Sequence, residues 1–220
     1  MKELTYSKDD EFLLVTISYD GEVYPGQFFM VKTPVGPYVP RPFSAYDFKK
    51  GELIFLIKTG GELERFLKNS HKVLINGPFG NPMPILNHPL LLAGGAGYAP
   101  IHFYAKRYDF SEMVVGARNE SFFELVDVPN RSVITVEPTT VLDVAKLSPL
   151  KNVIACGPMP MMRKTAKIFK DRNLYLVMEE KMGCGRGMCE GCAIMTKAGV
   201  KFVCKDGPTF LASEVDLEWT

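Results

Sequence analysis

Residues 90–100 read Leu-Leu-Leu-Ala-Gly-Gly-Ala-Gly-Tyr-Ala-Pro, an apolar run that meets a cluster of glycines. The run predicts a buried strand, the glycines predict a tight turn, and residues 99–106 predict a helix. Strands and helices alternate after this unit, which is typical of βαβ units on a parallel sheet. We therefore expect an α/β domain over residues 87–178. Its further predicted elements are strands at 113–118, 132–136, 152–158 and 174–178 and helices at 141–147 and 161–171.

The chain upstream of this unit is predicted to be mostly β. Short runs rich in β-branched and aromatic residues lie at 12–19, 27–32 and 53–58, separated by Gly and Pro turns. Many short strands at such spacing are typical of a sandwich or a barrel. One short helix is expected at 62–69, after a Gly-Gly pair. Residues 1–86 thus form a separate predicted domain, and the fold class is a multidomain combination of α+β and α/β parts.

Four of the five cysteines are clustered near the C-terminus, in a stretch otherwise dominated by glycine. Cys184, Cys189, Cys192 and Cys204 are separated by four, two and eleven residues. This is the plant-type C-x4-C-x2-C…C spacing of a [2Fe–2S] site, in which each of two bridged irons takes two thiolates. Four cysteines also satisfy zinc, and a disulfide framework is a further alternative. Zinc sites usually pair two C-x2-C units, however, and this chain has one.

A second candidate site is the run Arg41-Pro42-Phe43-Ser44, placed between two predicted strands. A guanidinium can clamp a diphosphate, an aromatic ring can pack on a flavin, and a serine hydroxyl can hydrogen-bond to it. Downstream, Leu56, Ile57 and Lys58 end a strand, and Gly60 and Gly61 precede the short helix, whose free N–H groups suit a pyrophosphate. The alternatives are a turn with a solvated arginine and an ordinary strand-to-helix turn.

Two further turns in the α/β domain are candidates for holding a dinucleotide. The first contains Gly94, Gly95 and Gly97, and it joins a strand to a helix, although it is not the G-x-G-x-x-G fingerprint. The second begins with Cys156, Gly157, Pro158 and Met159 and again joins a strand to a helix. Either turn is also explained as an ordinary tight connection between a strand and a helix. For Cys156, the alternative is an ordinary buried thiol, which is the usual role of a single cysteine. Together they favour a nicotinamide site.

The order of these motifs resembles the ferredoxin–NAD(P) reductase superfamily. Within it, the cysteine cluster followed by Val-Cys-Lys-Asp-Gly-Pro-Thr-Phe at 203–210 looks like the electron-transfer subunits of the NAD-dependent (class 1B) dihydroorotate dehydrogenases. The resemblance covers essentially the whole chain. It implies an antiparallel β-barrel that binds FAD over residues 1–86, a parallel-sheet nicotinamide domain over 87–178, and a small [2Fe–2S] module over 179–220.

The resemblance also implies which residues hold which group, and it assigns no catalytic residue. Residues 41–44, 56–58 and 60–61 would contact FAD, residues 94–97 and 156–159 would face NAD, and the four clustered cysteines would bind the iron–sulfur cluster. The partner would be a catalytic subunit with FMN, in a heterotetramer of two of each chain. Electrons would pass from FMN through the cluster and FAD to NAD as dihydroorotate becomes orotate in pyrimidine biosynthesis. NADP is not excluded.

Three positions depart from the family pattern. Glu62 follows Gly61 where the family usually has Thr, and residues 136–140, Val-Glu-Pro-Thr-Thr, replace an acidic-glycine-serine stretch. Tyr98 stands where a small or aliphatic residue is common, and from the sequence it would crowd an incoming nicotinamide. The rival readings are a flavin and iron–sulfur subunit of a sulfhydrogenase or of a ferredoxin:NADP transhydrogenase, and a zinc-binding module without a redox role.

Composition excludes several other classes. The formal net charge is +1, which gives no electrostatic basis for binding nucleic acid or an acidic membrane surface. The apolar runs fall short of the roughly 18 residues that a membrane span needs. The first residues lack the apolar segment of a secretory signal. The expected location is the cytoplasm.

Overall fold

The computed structural model of the chain describes residues 2–8, 11–67, 70 and 72–218. The strands of its first half are β1 (Lys2–Lys8), β2 (Phe12–Ser18), β3 (Phe28–Thr33), β4 (Gly36–Lys49), β5 (Glu52–Lys58) and β6 (Lys72–Phe79). Those of its second half are β7 (Leu90–Gly94), β8 (Glu112–Ala117), β9 (Ser132–Val136), β10 (Asn152–Cys156), β11 (Asn173–Val177), β12 (Ala193–Thr196), β13 (Gly199–Phe202) and β14 (Thr209–Leu211). The helices are α1 (Glu62–Leu67), α2 (Tyr98–Arg107), α3 (Ser121–Leu125), α4 (Val141–Ala145), α5 (Met159–Ile168) and α6 (Val203–Asp206).

The first six strands form a closed antiparallel barrel in the order β1-β2-β5-β4-β3-β6. Strand β2 alternates buried and less buried positions, as expected for a strand with one face towards a core. The barrel interior is filled by large apolar side chains, among them Phe29, Phe55 and Leu53, which are almost completely buried. The predicted helix at 62–69 is present as α1 up to residue 67, and residues 68 and 69 lie outside the described part of the chain.

The run 41–44 lies inside β4, which corrects the expectation that it lies between two strands. Its prolines suggest a break, but over this stretch β4 pairs with β3, where Arg41 faces Val31 and Phe43 faces Phe29. Pairing of β4 with β5 begins only at Ala45. One side of the ladder is therefore open at the prolines, and a strand tolerates proline where its N–H has no ladder partner to lose.

The second half contains a six-stranded sheet in the order β14-β11-β10-β7-β8-β9. The five strands from β11 to β9 are parallel, as predicted from the alternating pattern, and β14 pairs antiparallel with β11 at the edge. The central strand β7 is buried at every position, whereas the edge strand β9 leaves Val133 and Ile134 exposed. The predicted combination of an antiparallel β part and a parallel-sheet part is confirmed.

The glycine- and cysteine-rich end of the chain has little regular structure, yet it is attached firmly to the sheet. A short hairpin of β12 and β13 follows the first three clustered cysteines, and β14 then returns the chain to the sheet edge. Cys192 and Cys204 are buried in the same apolar cluster as Leu176 and Met178. The position of this segment is thus determined by burial against β11.

A buried polar network joins the barrel to the second sheet. The ring of Tyr46, on β4, stacks on the ring of His102, on α2, with centroids 4.0 Å apart, and His102 Nδ1 lies 3.0 Å from the Tyr46 carbonyl oxygen. The Tyr46 hydroxyl accepts a hydrogen bond from the Asp127 N–H at 3.1 Å. Burial lowers the pKa of His102, although its contact with the Tyr46 carbonyl oxygen acts in the opposite direction.

Within the described residues, no helix combines the length and apolar character needed to cross a membrane.

Candidate functional site

A cavity of about 700 Å³ opens beside the run 41–44, and we call it the barrel cavity. Such a volume is within the usual range of small-molecule and cofactor sites, about 300–1,000 Å³. Of the residues predicted to contact a flavin, all but Gly60 line it. Its wall is completed by residues that the sequence did not single out. The lining consists of Phe28, Arg41, Pro42, Phe43, Ser44, Leu56, Ile57, Lys58, Gly61, Glu62, Leu63, Glu64, Ala96, Ala99, Met178, Glu179, Glu180, Lys181, Met182 and Pro208.

Two of the groups predicted to hold the FAD diphosphate, Arg41 and the Gly60 N–H, already have acidic partners. The Arg41 guanidinium forms an ion pair with the Glu62 carboxylate, and both side chains are partly exposed. The Gly60 N–H, expected to be free for a pyrophosphate, instead donates to Glu64 Oε2 at 3.0 Å. Acidic side chains therefore take the positions that a diphosphate needs. An anionic group that binds Arg41 must therefore compete with Glu62.

A second cavity of about 540 Å³ lies over the carboxyl ends of the parallel strands, and we call it the sheet cavity. The predicted residues Gly94, Gly95, Gly97, Gly157 and Pro158 line it. Ligands of open α/β sheets bind at this edge. Its other lining residues are Glu11, Phe12, Lys58, Ala96, Gly116, Ala117, Arg118, Thr135, Glu137, Thr139, Thr140, Val141, Leu142, Pro160, Met161, Lys164 and Glu179.

The turn after β7 needs glycine for reasons of space. A Cβ at Gly97 would lie 2.6 Å from the carbonyl oxygen of Cys156, because the turn passes directly over the end of β10.

Two residues predicted to face the nicotinamide do not line the sheet cavity. Cys156 is fully buried with its Sγ 3.7 Å from the Val177 carbonyl oxygen, and burial raises its pKa well above the ordinary value. Met159 packs against the apolar core.

Tyr98 does not crowd the sheet cavity, which corrects the expectation drawn from its place in the glycine loop. Its side chain is fully buried, and its hydroxyl donates to the Asp127 carbonyl oxygen at 2.6 Å. Its ring packs against Phe122, edge to face, at 5.8 Å. As the first residue of α2, Tyr98 turns away from the strand ends into the space between that helix and α3. The sequence alone could not indicate this direction.

The two cavities adjoin, and three residues line both of them: Lys58, Ala96 and Glu179. Glu179 lies at this junction, two residues after the end of β11. The Glu179 side chain is exposed to solvent within the cavities. Nearby protein atoms nevertheless displace enough water around its carboxyl to raise the pKa of that group. A group in the barrel cavity and a group in the sheet cavity would therefore meet beside Glu179.

The four clustered cysteines lie in two pairs connected by backbone hydrogen bonds. Cys192 Sγ lies 3.2 Å from Cys204 Sγ, and the Cys189 N–H donates to Cys184 Sγ at 3.4 Å. The Gly187 N–H, at a residue with φ of +77°, donates to Cys204 Sγ at 3.0 Å. Two pairs of thiols with N–H groups directed at sulfur fit the donor set of a two-iron cluster. In the described part of the chain, no three Cys, His, Asp or Glu side chains converge on a single-ion site.

The thiols of Cys184 and Cys204 differ in pKa because their surroundings differ. Burial acts to raise the pKa of Cys184, but the N–H groups of Arg186 and Cys189 donate to its sulfur and lower the pKa to about 6. Burial, together with the hydrogen bond to the Cys192 thiol, raises the pKa of Cys204 to about 12. Thiolates are the metal ligands, so on metal binding Cys204 has more protonated thiol to ionise than Cys184 has.

The cysteine loop, residues 184–192, packs against the wall of the barrel cavity. A Cβ at Gly185 would lie 2.7 Å from the Met30 side chain, so β3 is in direct contact with the loop. The guanidinium of Arg186 lies 5.6 Å from the centre of the Phe79 ring, and that ring lies 6.0 Å from Phe28, which lines the cavity. The loop and the cavity are separated by one layer of side chains.

Several lining residues were missed although a sequence signal existed. Arg118, Glu137 and Glu179 come one, one and two residues after the end of a parallel strand, and all three line the sheet cavity. Because the carboxyl ends of parallel strands share one edge, the first charged residue after each strand is a candidate ligand contact. No local pattern singles out Phe28 or Pro208, which reach the barrel cavity from distant parts of the chain.

Comparison with known proteins places the chain in a family. A family profile described as "Iron-sulfur cluster binding domain of dihydroorotate dehydrogenase B" matches residues 179–216. The chain is 32% identical to the dihydroorotate dehydrogenase B (NAD(+)) electron transfer subunit of Clostridium acetobutylicum, over 95% of this chain and 93% of that one. The chain belongs to the dihydroorotate dehydrogenase B electron transfer subunits. Another such subunit, described as probable, from Pyrococcus abyssi is 33% identical, with 87% and 80% coverage.

Solved structures of other proteins share the fold of this chain. The fold matches a chain from the structure of an NADH-dependent reduced ferredoxin-NADP oxidoreductase with a TM-score of 0.82 and 25% identity, covering 99% of this chain and 90% of that one. It also matches the ferredoxin reductase of a carbazole 1,9a-dioxygenase with a TM-score of 0.61 and 19% identity, covering 79% and 65%. The second match concerns the fold alone.

Proposed function

We propose that the chain is the electron-transfer component of an NAD-linked dihydroorotate dehydrogenase, with FAD in the barrel cavity, NAD in the sheet cavity and a [2Fe–2S] cluster on the four cysteines. The adjacency of the two cavities, with Lys58, Ala96 and Glu179 in both, carries this proposal. Hydride transfer requires two ring systems in contact, and two cavities with a shared wall supply that arrangement. The proposed division is a FAD domain over 1–86, a nicotinamide domain over 87–178 and a cluster module over 179–220.

When bound, FAD and the cluster supply two-electron and one-electron redox chemistry, through which electrons released from dihydroorotate reach NAD+. The chain's own residues position and insulate these groups. Arg41 supplies the fixed positive charge for the FAD diphosphate. Phe43 and Ser44, which follow Pro42 in β4, offer the flavin a ring to pack on and a hydroxyl for a hydrogen bond. The apolar wall of Leu56 and Ile57 keeps water from the reacting ring.

The cluster side of the proposal rests on the accessible part of the cysteine loop. Cys189 is exposed, and Met188 beside it is 79% exposed, whereas Cys192 and Cys204 are buried. One side of the cysteine loop thus faces the barrel cavity and the other faces solvent. That placement suits electron entry from a partner that docks on the loop. The proposed partner is an FMN-containing dihydroorotate dehydrogenase catalytic subunit, in a heterotetramer of two copies of each chain.

The test is anaerobic purification of the chain, tagged in its native cell, together with whatever binds it. We expect iron, acid-labile sulfide and FAD in the preparation, an FMN-containing partner, and NAD+ reduction that depends on dihydroorotate. A colourless protein with zinc in place of iron and sulfide would contradict the redox function. Iron and flavin without dihydroorotate-dependent NAD+ reduction would contradict the assigned substrate.

A second candidate function is favoured by the structural match to the NADH-dependent reduced ferredoxin-NADP oxidoreductase at a TM-score of 0.82. In this case the chain would be the flavin and iron–sulfur subunit of a ferredoxin:NADP transhydrogenase. The same purification distinguishes the two. The transhydrogenase would show electron exchange between ferredoxin, NADPH and NAD+, and it would not respond to dihydroorotate.

A further inference from the structure

Arg118 and Glu137 form a charge pair at one end of the sheet cavity. Arg118 Nε lies 3.7 Å from Glu137 Oε1, and both side chains are largely exposed, at 64% and 66%. Both line the cavity. Their backbones are held together, because Ala117 pairs with Val136 and the Glu137 N–H donates to the Ala117 carbonyl oxygen at 3.4 Å. The strand pairing thus fixes the two backbones side by side, so that the two exposed side chains leave the sheet next to each other.

The order of the strands decides which half of a dinucleotide reaches this pair. Along the sheet edge, Glu179 follows β11, Gly157 follows β10, Arg118 follows β8, and Glu137 follows β9. The barrel cavity adjoins the sheet cavity through Glu179 and Ala96, which follow β11 and β7, at the end of the sheet away from β8 and β9. The nicotinamide must lie at that end to exchange hydride with a flavin. The adenosine half then extends across β7 towards β8 and β9, where strands are spaced roughly 4.8 Å apart.

The chemistry at the adenosine end separates NAD from NADP. A carboxylate accepts a hydrogen bond from a ribose 2′-hydroxyl, whereas an arginine accommodates a 2′-phosphate. Here both groups are present, but Glu137 offsets the charge of Arg118 and would repel a 2′-phosphate. The pair is largely exposed, so the Glu137 carboxylate can still accept a hydrogen bond from the ribose while it offsets the charge of Arg118.

We propose that Glu137 is the residue that makes the sheet cavity select a 2′-hydroxyl over a 2′-phosphate, and that it does so partly by neutralising Arg118. This inference rests on the proposed function, because it assumes that the sheet cavity holds the nicotinamide cofactor. It assigns a specificity role to a residue that touches the adenosine ribose and not the reacting ring.

Two ligand fragments test it without any redox step. Isothermal titration of the full chain with ADP-ribose and with 2′-phospho-ADP-ribose gives the two dissociation constants. We expect Glu137→Gln to lower the preference for ADP-ribose by roughly tenfold or more, since a hydrogen bond to a charged group is worth about 1.5–3 kcal/mol. The double variant Glu137→Gln with Arg118→Ala should lose the gain in 2′-phospho-ADP-ribose affinity. Glu124→Gln, on α3 and outside both cavities, is the matched control.

Three outcomes are distinguishable. A shift of preference in Glu137→Gln that requires Arg118 supports the proposal. Unchanged constants in Glu137→Gln, with the parent still binding ADP-ribose, overturn the specificity role and leave the proposed function standing. No binding of either fragment by the parent chain overturns both the specificity role and the assignment of the sheet cavity.

Discussion

The ion pair between Arg41 and Glu62 predicts that its two members affect FAD affinity in opposite directions. In the structure the guanidinium is held by the Glu62 carboxylate, at the mouth of the barrel cavity. FAD must therefore displace Glu62 before its diphosphate reaches Arg41. Arg41→Ala removes the contact to the diphosphate, whereas Glu62→Gln removes the competitor.

The magnitudes follow from the exposure of the pair. Both side chains are more than a third exposed, so the pair itself is worth only about 0.2–1 kcal/mol. A charge-assisted hydrogen bond to the diphosphate is worth about 1.5–3 kcal/mol. Arg41→Ala loses this bond, but FAD binding to the variant no longer has to break the ion pair. The binding free energy should therefore fall by about 0.5–2.8 kcal/mol, which corresponds to roughly 2- to 100-fold weaker FAD binding. Glu62→Gln should bind FAD roughly 1.4- to 5-fold more tightly.

The assay is fluorescence titration of flavin-depleted protein with FAD. The double variant Arg41→Ala with Glu62→Gln is the control, because the gain from Glu62→Gln should disappear when Arg41 is absent. Lys181→Ala, a lining cation that no described ion pair engages, gives the effect of losing one positive charge from the cavity. Weaker FAD binding in Glu62→Gln, or unchanged binding in Arg41→Ala, would refute the reasoning.

Three other substitutions test separate parts of the structure. Cys189→Ser should remove iron and sulfide and retain FAD, since one iron loses a thiolate while the barrel cavity is untouched; unchanged iron content would contradict the cluster assignment. Because burial lowers the pKa of His102, the unfolded chain binds its proton more readily, so the free energy of unfolding should fall as pH drops below about 6.5. Urea titrations at several pH values should show a smaller fall in His102→Phe, and an equal fall would argue against this source. Gly97→Ala should destabilise the fold by about 1–3 kcal/mol, because its Cβ meets backbone atoms of Cys156; Gly61→Ala, where the nearest atom is 3.6 Å away, is the control in thermal denaturation.

The success of the sequence predictions varied with how local each signal was. The strands and the longer helices from residue 90 to 178 follow from hydrophobic periodicity, which is a property of neighbouring residues, but the short helix α3 was not predicted. Strand β4 was misread because its prolines indicate a break, and only the open side of its ladder shows why a strand survives there. The direction of Tyr98 was misjudged, since it depends on packing against Phe122 from another helix.

The sequence by itself determined the chemistry of the donors: the spacing of four cysteines, the glycine turn after a buried strand, and the charged and aromatic residues of the run 41–44. These are set by residues close together in the chain, which share a loop or a strand in any fold they adopt. The tertiary structure alone decided which of these groups meet. Lys58, Ala96 and Glu179 come from a barrel strand, a βα turn and a sheet edge, and they line both cavities only because non-local pairing brings those elements together. The same holds for the pairing of Arg118 with Glu137, since the order of strands across the sheet differs from their order along the sequence.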